Sequence, residues 1–82
     1  MFIVYIIYSE TLNRYYVGYT ENMDKRLGEH NSGISTYTSK AKDWVLRYFE
    51  EYATREAAMK RETAIKKKKS RKYLEWLINT KT

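Results

Sequence analysis

The chain has 82 residues, a net charge of +6 and no cysteine, which allows one modest core and excludes a disulfide framework or a thiolate metal site. It has no proline and only three glycines, so no linker or low-complexity segment is visible. The apolar opening "FIVYIIY", residues 2–8, is too short for a signal-peptide core and far too short to span a bilayer, which points to a small soluble cytoplasmic protein. Its β-branched and aromatic residues read as a strand. "SETLN", residues 9–13, reads as a turn, since Ser and Asn favour local backbone hydrogen bonds. "RYYVGYT", residues 14–20, reads as a second strand, antiparallel to the first because the connection is short.

Gly18 is unexpected inside that strand, because a strand glycine often marks close approach by something else. Pairing Tyr8 with Tyr15 sets Ile7 opposite Tyr16 and Tyr5 opposite Gly18. Ile3, Tyr5, Ile7, Tyr16 and Gly18 then share one face. Tyr5 and Tyr16 become diagonal neighbours, and Gly18 leaves a hollow beside them. On pattern alone such phenols are core residues, and a slip of one residue would put them on opposite faces.

Asn22 suits the cap of a helix over residues 23–31, with Gly33 as its stop. Arg26 and His30 are four apart and lie on one face of it, beside a core stripe of Met23 and Leu27. Alone, Arg26 reads as a surface cation and His30 as a favourable charge near the helix C-terminus. "ISTYTSKAKD" is a polar loop, and residues 44–52, "WVLRYFEEY", form a third strand. Thr54 caps a long helix through residue 69. Ser70 caps a last helix over residues 71–79, whose Tyr73, Leu74, Trp76, Leu77 and Ile78 suit packing on the sheet. The order ββαβαα predicts a single α+β domain over residues 1–82, with a small three-stranded antiparallel or mixed sheet flanked by three helices.

The charge is local. The stretch from Lys60 to Lys72 carries eight Lys/Arg against one Glu, net +7, so the other residues sum to −1 of the total +6. Such a patch attracts polyanions, nucleic acid before acidic membrane, although a lysine run is often only a solvated helix face. Consecutive lysines cannot share one face at 3.6 residues per turn, and a membrane-lying helix would need a wider apolar face than Ile65 offers. Within this helix Ala58, Glu62 and Ile65 follow an i, i+4, i+7 spacing, so Glu62 sits at the margin of an apolar stripe. A carboxylate there needs a partner: Lys66 at i+4, or a hard divalent cation shared with phosphate oxygens and water.

Together these residues resemble a known family. "VY" (4–5) followed by "YVG" (16–18) resembles the two signature elements of the GIY-YIG nuclease domain. The pattern Y-x-x-x-x-x-x-R-L-x-x-H from Tyr19 to His30 continues the match. "TREAAMKRETAIKKKKSRK" resembles the small stand-alone branch, related to the catalytic domain of the excision-repair incision subunit. The resemblance implies roles position by position. Tyr16 matches the tyrosine that serves as general base or orients the attacking water, and Tyr5 the tyrosine of the first signature. Gly18 matches the glycine that leaves room near the scissile phosphate. Arg26 matches the phosphate-binding arginine, His30 a position that is Tyr or His among branches, and Glu62 the metal-binding glutamate for Mg2+ or Mn2+. Tyr19 stands where the incision subunit has a lysine, and Ile3 where the name motif has glycine.

The implied activity is metal-dependent hydrolysis of phosphodiester bonds in DNA, with RNA open as a partner and no membrane. The metal on Glu62 would polarise phosphate and stabilise the leaving oxygen. Arg26 would fork onto phosphate. An ordinary phenol titrates near ~10, so a tyrosine base near neutrality needs help from a cation or metal. His30, expected to titrate closer to neutrality, is the alternative proton acceptor or relay beside Tyr16. Lys60, Arg61, Lys66, Lys67, Lys68 and Lys69 are expected to track the backbone, with Gly18, Tyr19, Tyr37, Thr38 and Lys40 as further contacts. Recognition of shape rather than sequence follows, since no groove-reading helix is visible. A nucleic-acid-binding module with a weak active site is the alternative function, and an interaction domain built on the closing helix a third.

Overall fold

The computed structural model describes residues 1–33 and 38–80. Strand β1 (Phe2–Ser9) lies between β2 (Arg14–Thr20) and β3 (Val45–Tyr52), and both pairings are antiparallel. Because β1 is central, both of its edges are paired, and residues from the helices cover both of its faces. Val4 and Ile6 point into one cluster, Tyr5 and Ile7 into the other, and all four are buried. The hairpin register is the expected one: Tyr8 opposite Tyr15, Ile7 opposite Tyr16 and Tyr5 opposite Gly18. The pairing with β3 carries an irregularity between Ile6 and Ile7.

Local chemistry sets the helix ends. Helix α1 (Met23–Ser32) starts where Asn22 Oδ1 accepts the Lys25 amide at 3.1 Å, and it stops at Gly33, whose φ of 84° suits a residue without a Cβ. Helix α2 (Arg55–Lys67) is capped by Thr54, whose hydroxyl accepts the Ala57 amide at 3.2 Å. Helix α3 (Arg71–Thr80) begins after Ser70, whose hydroxyl accepts the Tyr73 amide at 3.2 Å. Helix α2 ends two residues before the expected boundary, and Lys69 turns the chain with a φ of 48°.

Met23 and Leu27 of α1 pack with Tyr5, Ile7 and Trp44 on one face of the sheet. Ala58 and Ile65 of α2 and Leu77 and Ile78 of α3 pack with Val4, Ile6 and Val17 on the other. Trp76 departs from expectation: it is 58 % exposed, and its ring stacks 5.9 Å from that of Tyr73. Leu74, Leu77 and Ile78, spaced by three and four, take the inward stripe and turn Trp76 outward.

Two polar clamps join distant segments. Asp43 accepts the Ser9 hydroxyl at 2.6 Å and the Thr11 amide and hydroxyl at 3.0 Å, tying the hairpin turn to the approach of β3. Asn31 receives the Trp44 amide at 2.7 Å and donates to its carbonyl at 3.0 Å, which holds the end of α1 against that same approach. Among the described residues no helix is long and apolar enough to cross a membrane.

Candidate active site

The register carries Tyr5 and Tyr16 to one face, with ring centroids 6.4 Å apart. Gly18 is what lets them fit. A Cβ there would stand 2.6 Å from the Tyr5 hydroxyl and 3.1 Å from Cε2 of Tyr16. The hollow expected beside Gly18 is thus already filled by the Tyr5 phenol, so the glycine's open space serves a side chain of the same chain. Gly18 itself is buried.

Tyr5 belongs to a buried polar chain. Its hydroxyl lies 2.8 Å from Nε2 of His30, and Nδ1 of His30 lies 2.7 Å from Oγ1 of Thr38. Arg26 also hydrogen-bonds the Tyr5 hydroxyl. With Arg26 donating to the phenol oxygen, we assign the phenol proton to Nε2 and the imidazole proton to Nδ1, facing Thr38. Burial pushes the Tyr5 phenol up to about 12, although Arg26 pulls the other way. Burial, then the Arg26 charge, pushes His30 down to about 4.

Two expectations are corrected here. His30 is completely buried, so it is a neutral ring holding two hydroxyls, not a charge at a helix end or a group titrating near neutrality. Thr38 is also completely buried, so it supports His30 and does not touch a polyanion. Tyr37, expected beside it, lies outside the described residues.

Tyr16 is the more accessible phenol. Its ring meets that of His30 edge-on at 5.0 Å, and it lines a cavity of ≈ 670 Å³ with Arg14, Lys40 and Trp44. Arg26 lines a separate cleft of ≈ 360 Å³ with Tyr19 and Arg55, and it is paired to Glu29 at 3.0 Å.

Glu62 arrives from the other side. Helix α2 packs on the opposite face, and the Glu62 charge is the smallest of the influences that raise the Tyr5 phenol. Lys66 pairs with Glu62 at 3.5 Å, the local partner that helix spacing offered. The ammonium of Lys66 also stands 5.8 Å from the Tyr16 ring centroid. Among the described residues no three His, Asp or Glu gather as a ready metal cage. A single carboxylate fits only a hard cation that brings its remaining oxygens from water and phosphate.

A model of the GIY-YIG catalytic domain matches residues 1–74. The chain belongs to the GIY-YIG family. It is 43 % identical over 56 residues to a UPF0213 protein of Listeria welshimeri, a match covering 67 % of this chain and 62 % of that protein. A UPF0213 protein of Listeria monocytogenes matches at 43 % over 56 residues, covering 67 % of this chain and 63 % of its own length. One of Streptococcus pyogenes matches at 42 % over 57 residues, covering 68 % and 62 %. The matches therefore span less than two thirds of these relatives. No solved structure matches the chain. Membership in the GIY-YIG family supports a nuclease function and a nucleic-acid substrate, and nucleases of this family generally depend on a divalent metal.

On the GIY-YIG scaffold the expected basic contacts separate. Lys66 and Lys69 line one cleft beside the hairpin. Lys60 and Lys67 line another with Met59, on the far side of α2, as 3.6 residues per turn requires. Lys68 stands 5.4 Å over the Tyr73 ring. Arg61 is a correction: it turns inward and binds Glu50 through Nε at 2.8 Å and Nη2 at 3.0 Å, so its fork is a fold clamp. Tyr19 packs at the margin of the α2–α3 core, 6.0 Å from the Arg55 guanidinium. Sequence reasoning missed Arg14, Glu29 and the support Thr38 gives His30. The i+3 spacing of Arg26 and Glu29 was a signal for one of them.

Proposed function

We propose that the chain is a metal-dependent endonuclease that hydrolyses phosphodiester bonds in DNA, directed by structure rather than sequence. The observation that supports this reading is the cluster of Tyr16, Tyr5, Arg26 and His30, with Lys66 standing between Glu62 and the Tyr16 ring. Tyr16, open to the cavity, orients or deprotonates the attacking water. The buried Tyr5–His30–Thr38 chain holds its neighbour in place and, being shut off from solvent, takes no proton from that water. The Arg26 guanidinium, fixed by Glu29 and Tyr5, meets phosphate charge as it develops. Glu62 would hold Mg2+ or Mn2+, which would supply positive charge to the phosphate and the departing oxygen.

The Glu62–Lys66 ion pair favours one competitor, a nucleic-acid-binding module that does not cut. Incubating plasmid and branched DNA with magnesium, with manganese and with chelator separates the two. Metal-dependent cuts by the wild type, lost in Glu62→Gln and in Tyr16→Phe while both variants still fold and bind, support the nuclease. Binding without any cut in either metal leaves the module. Unchanged cleavage by Tyr16→Phe removes that phenol from the reaction.

A further inference from the structure

Beside the tyrosine cavity lies a second cleft, ≈ 280 Å³, between the hairpin and the turn from α2 to α3. Its rim carries Arg14, Lys66, Lys69 and Arg71, its floor includes Ile65 and Leu74, and no acidic residue lines it among the described residues. We propose that a polynucleotide held at Tyr16 continues over the free edge of β2 into this cleft, where these four cations bind its backbone phosphates. The proposal rests on the nuclease reading and adds the path of the substrate.

Continuity is the first support. Arg14 and Tyr15 line both the tyrosine cavity and the cleft, so one wall serves both. Lys66 lines the cleft, and its ammonium stands 5.8 Å from the centroid of the Tyr16 ring, which lines the cavity. Both are walled by β2, an edge strand whose outer side pairs with no other strand among the described residues.

Backbone strain is the second support and is independent of the first. Lys69 has a φ of 48°, the left-handed conformation in which a helix usually ends on glycine. A lysine costs more there than a glycine, and residues held in such conformations cluster at ligand clamps. The conformation turns the chain so that Lys69 joins Lys66 on the cleft rim. Arg71 is likewise pre-placed, by bonds to the Asn13 carbonyl at 2.9 Å and Asn13 Oδ1 at 2.7 Å, with a third to Glu75 at 3.2 Å. Four cations over an apolar floor fit phosphates with sugar or base packed beneath, a backbone chemistry that DNA and RNA share.

The test is fluorescence anisotropy of the full chain in chelator, with labelled single-stranded DNA, duplex DNA and RNA, each over a range of salt. Arg14→Ala and Lys69→Gly should each weaken binding several-fold and lower the slope of log affinity against log salt by about one. An equal loss of affinity and slope in Lys60→Ala, on the far side of α2, would mean general charge attraction and overturn this path. Lys69→Gly should melt at or above the wild-type temperature while binding less well, a separation that a structural lysine would not produce. Wild-type affinity and slope in both cleft variants would overturn this path while leaving the nuclease reading intact. A wild type that binds no polynucleotide overturns both.

Discussion

A methyl group on Gly18 would stand 2.6 Å from the Tyr5 hydroxyl and 2.8 Å from its ring carbon Cζ. Tyr5 has little room to retreat, since its ring is buried and its hydroxyl is bonded to His30 and Arg26. Gly18→Ala is therefore expected to overpack the site, with a stability loss of about 1–3 kcal/mol. Displacing Tyr5 shifts Tyr16 and Arg26 with it, and a displacement near one ångström costs on the order of a hundredfold in rate. Urea melts and metal-dependent cleavage by the variant check both effects. Near-wild-type values in both would mean that the phenol is free to move.

Thr38 is expected to act through His30. Thr38→Val keeps the shape and removes the Oγ1 that lies 2.7 Å from Nδ1. A buried ring nitrogen left without its partner costs about 1–3 kcal/mol. The loss of that partner also frees the choice of tautomer, and with it the Tyr5 hydrogen bond. Nitrogen-15 NMR of the imidazole should report a single Nδ1–H tautomer in the wild type and in Thr38→Ser, and a mixture in Thr38→Val. A single tautomer in all three would remove Thr38 from this role.

His30 should make the fold acid-sensitive. Burial holds it down to about 4 from 6.5. Between those values the unfolded chain binds a proton that the folded chain excludes. This stability is fully present above the unfolded value and drains away as pH falls toward 4. At ~1.36 kcal/mol per unit, the loss is on the order of 3 kcal/mol. Denaturant melts of the wild type and His30→Gln across that window measure it. The wild type should lose stability faster than the variant, and parallel curves would show that His30 titrates normally when folded.

The parts that were legible from sequence share a cause. The hairpin pairing supposed for a short turn, Tyr8 opposite Tyr15, is the one observed, and strand alternation then puts Tyr5, Tyr16 and Gly18 on one face. Helix ends followed from Asn22, Gly33, Thr54 and Ser70, whose side chains or backbone freedom act within three residues of themselves. What stayed hidden depends on segments far apart in the chain. The four-residue spacing of Arg26 and His30 fixes a shared face but not a depth, and Thr38 seals His30 from a loop without periodicity. Arg61 looked like one more cation of a basic run, because its acid lies eleven residues earlier on β3. The lysines divided between faces, as helix geometry demanded, but which face borders the site required the sheet edge to be known.

Glu50 and Arg61 set a second acid window, below that of His30. Glu50 accepts both Arg61 bonds, and it also accepts the hydroxyls of Tyr48 and, at 2.5 Å, Tyr52. Burial alone would raise this carboxyl, but Arg61 and the two phenols hold it down to about 2 from 4.5. The sign follows from the depressed value: the stabilisation is present above 4.5 and is lost as pH falls toward 2. Arg61→Ala leaves a half-buried carboxylate with its cation gone, a change expected to cost about 3–5 kcal/mol. That is a large share of the ~5–15 kcal/mol holding a small domain together. Melts of Arg61→Ala should show reduced stability at neutral pH, little further loss between 4.5 and 2, and the His30 window unchanged. Because the Arg61 fork is turned onto Glu50, polynucleotide affinity per folded molecule should stay near wild type. A folded Arg61→Ala protein that has lost that affinity would return Arg61 to the binding surface and remove it from the clamp.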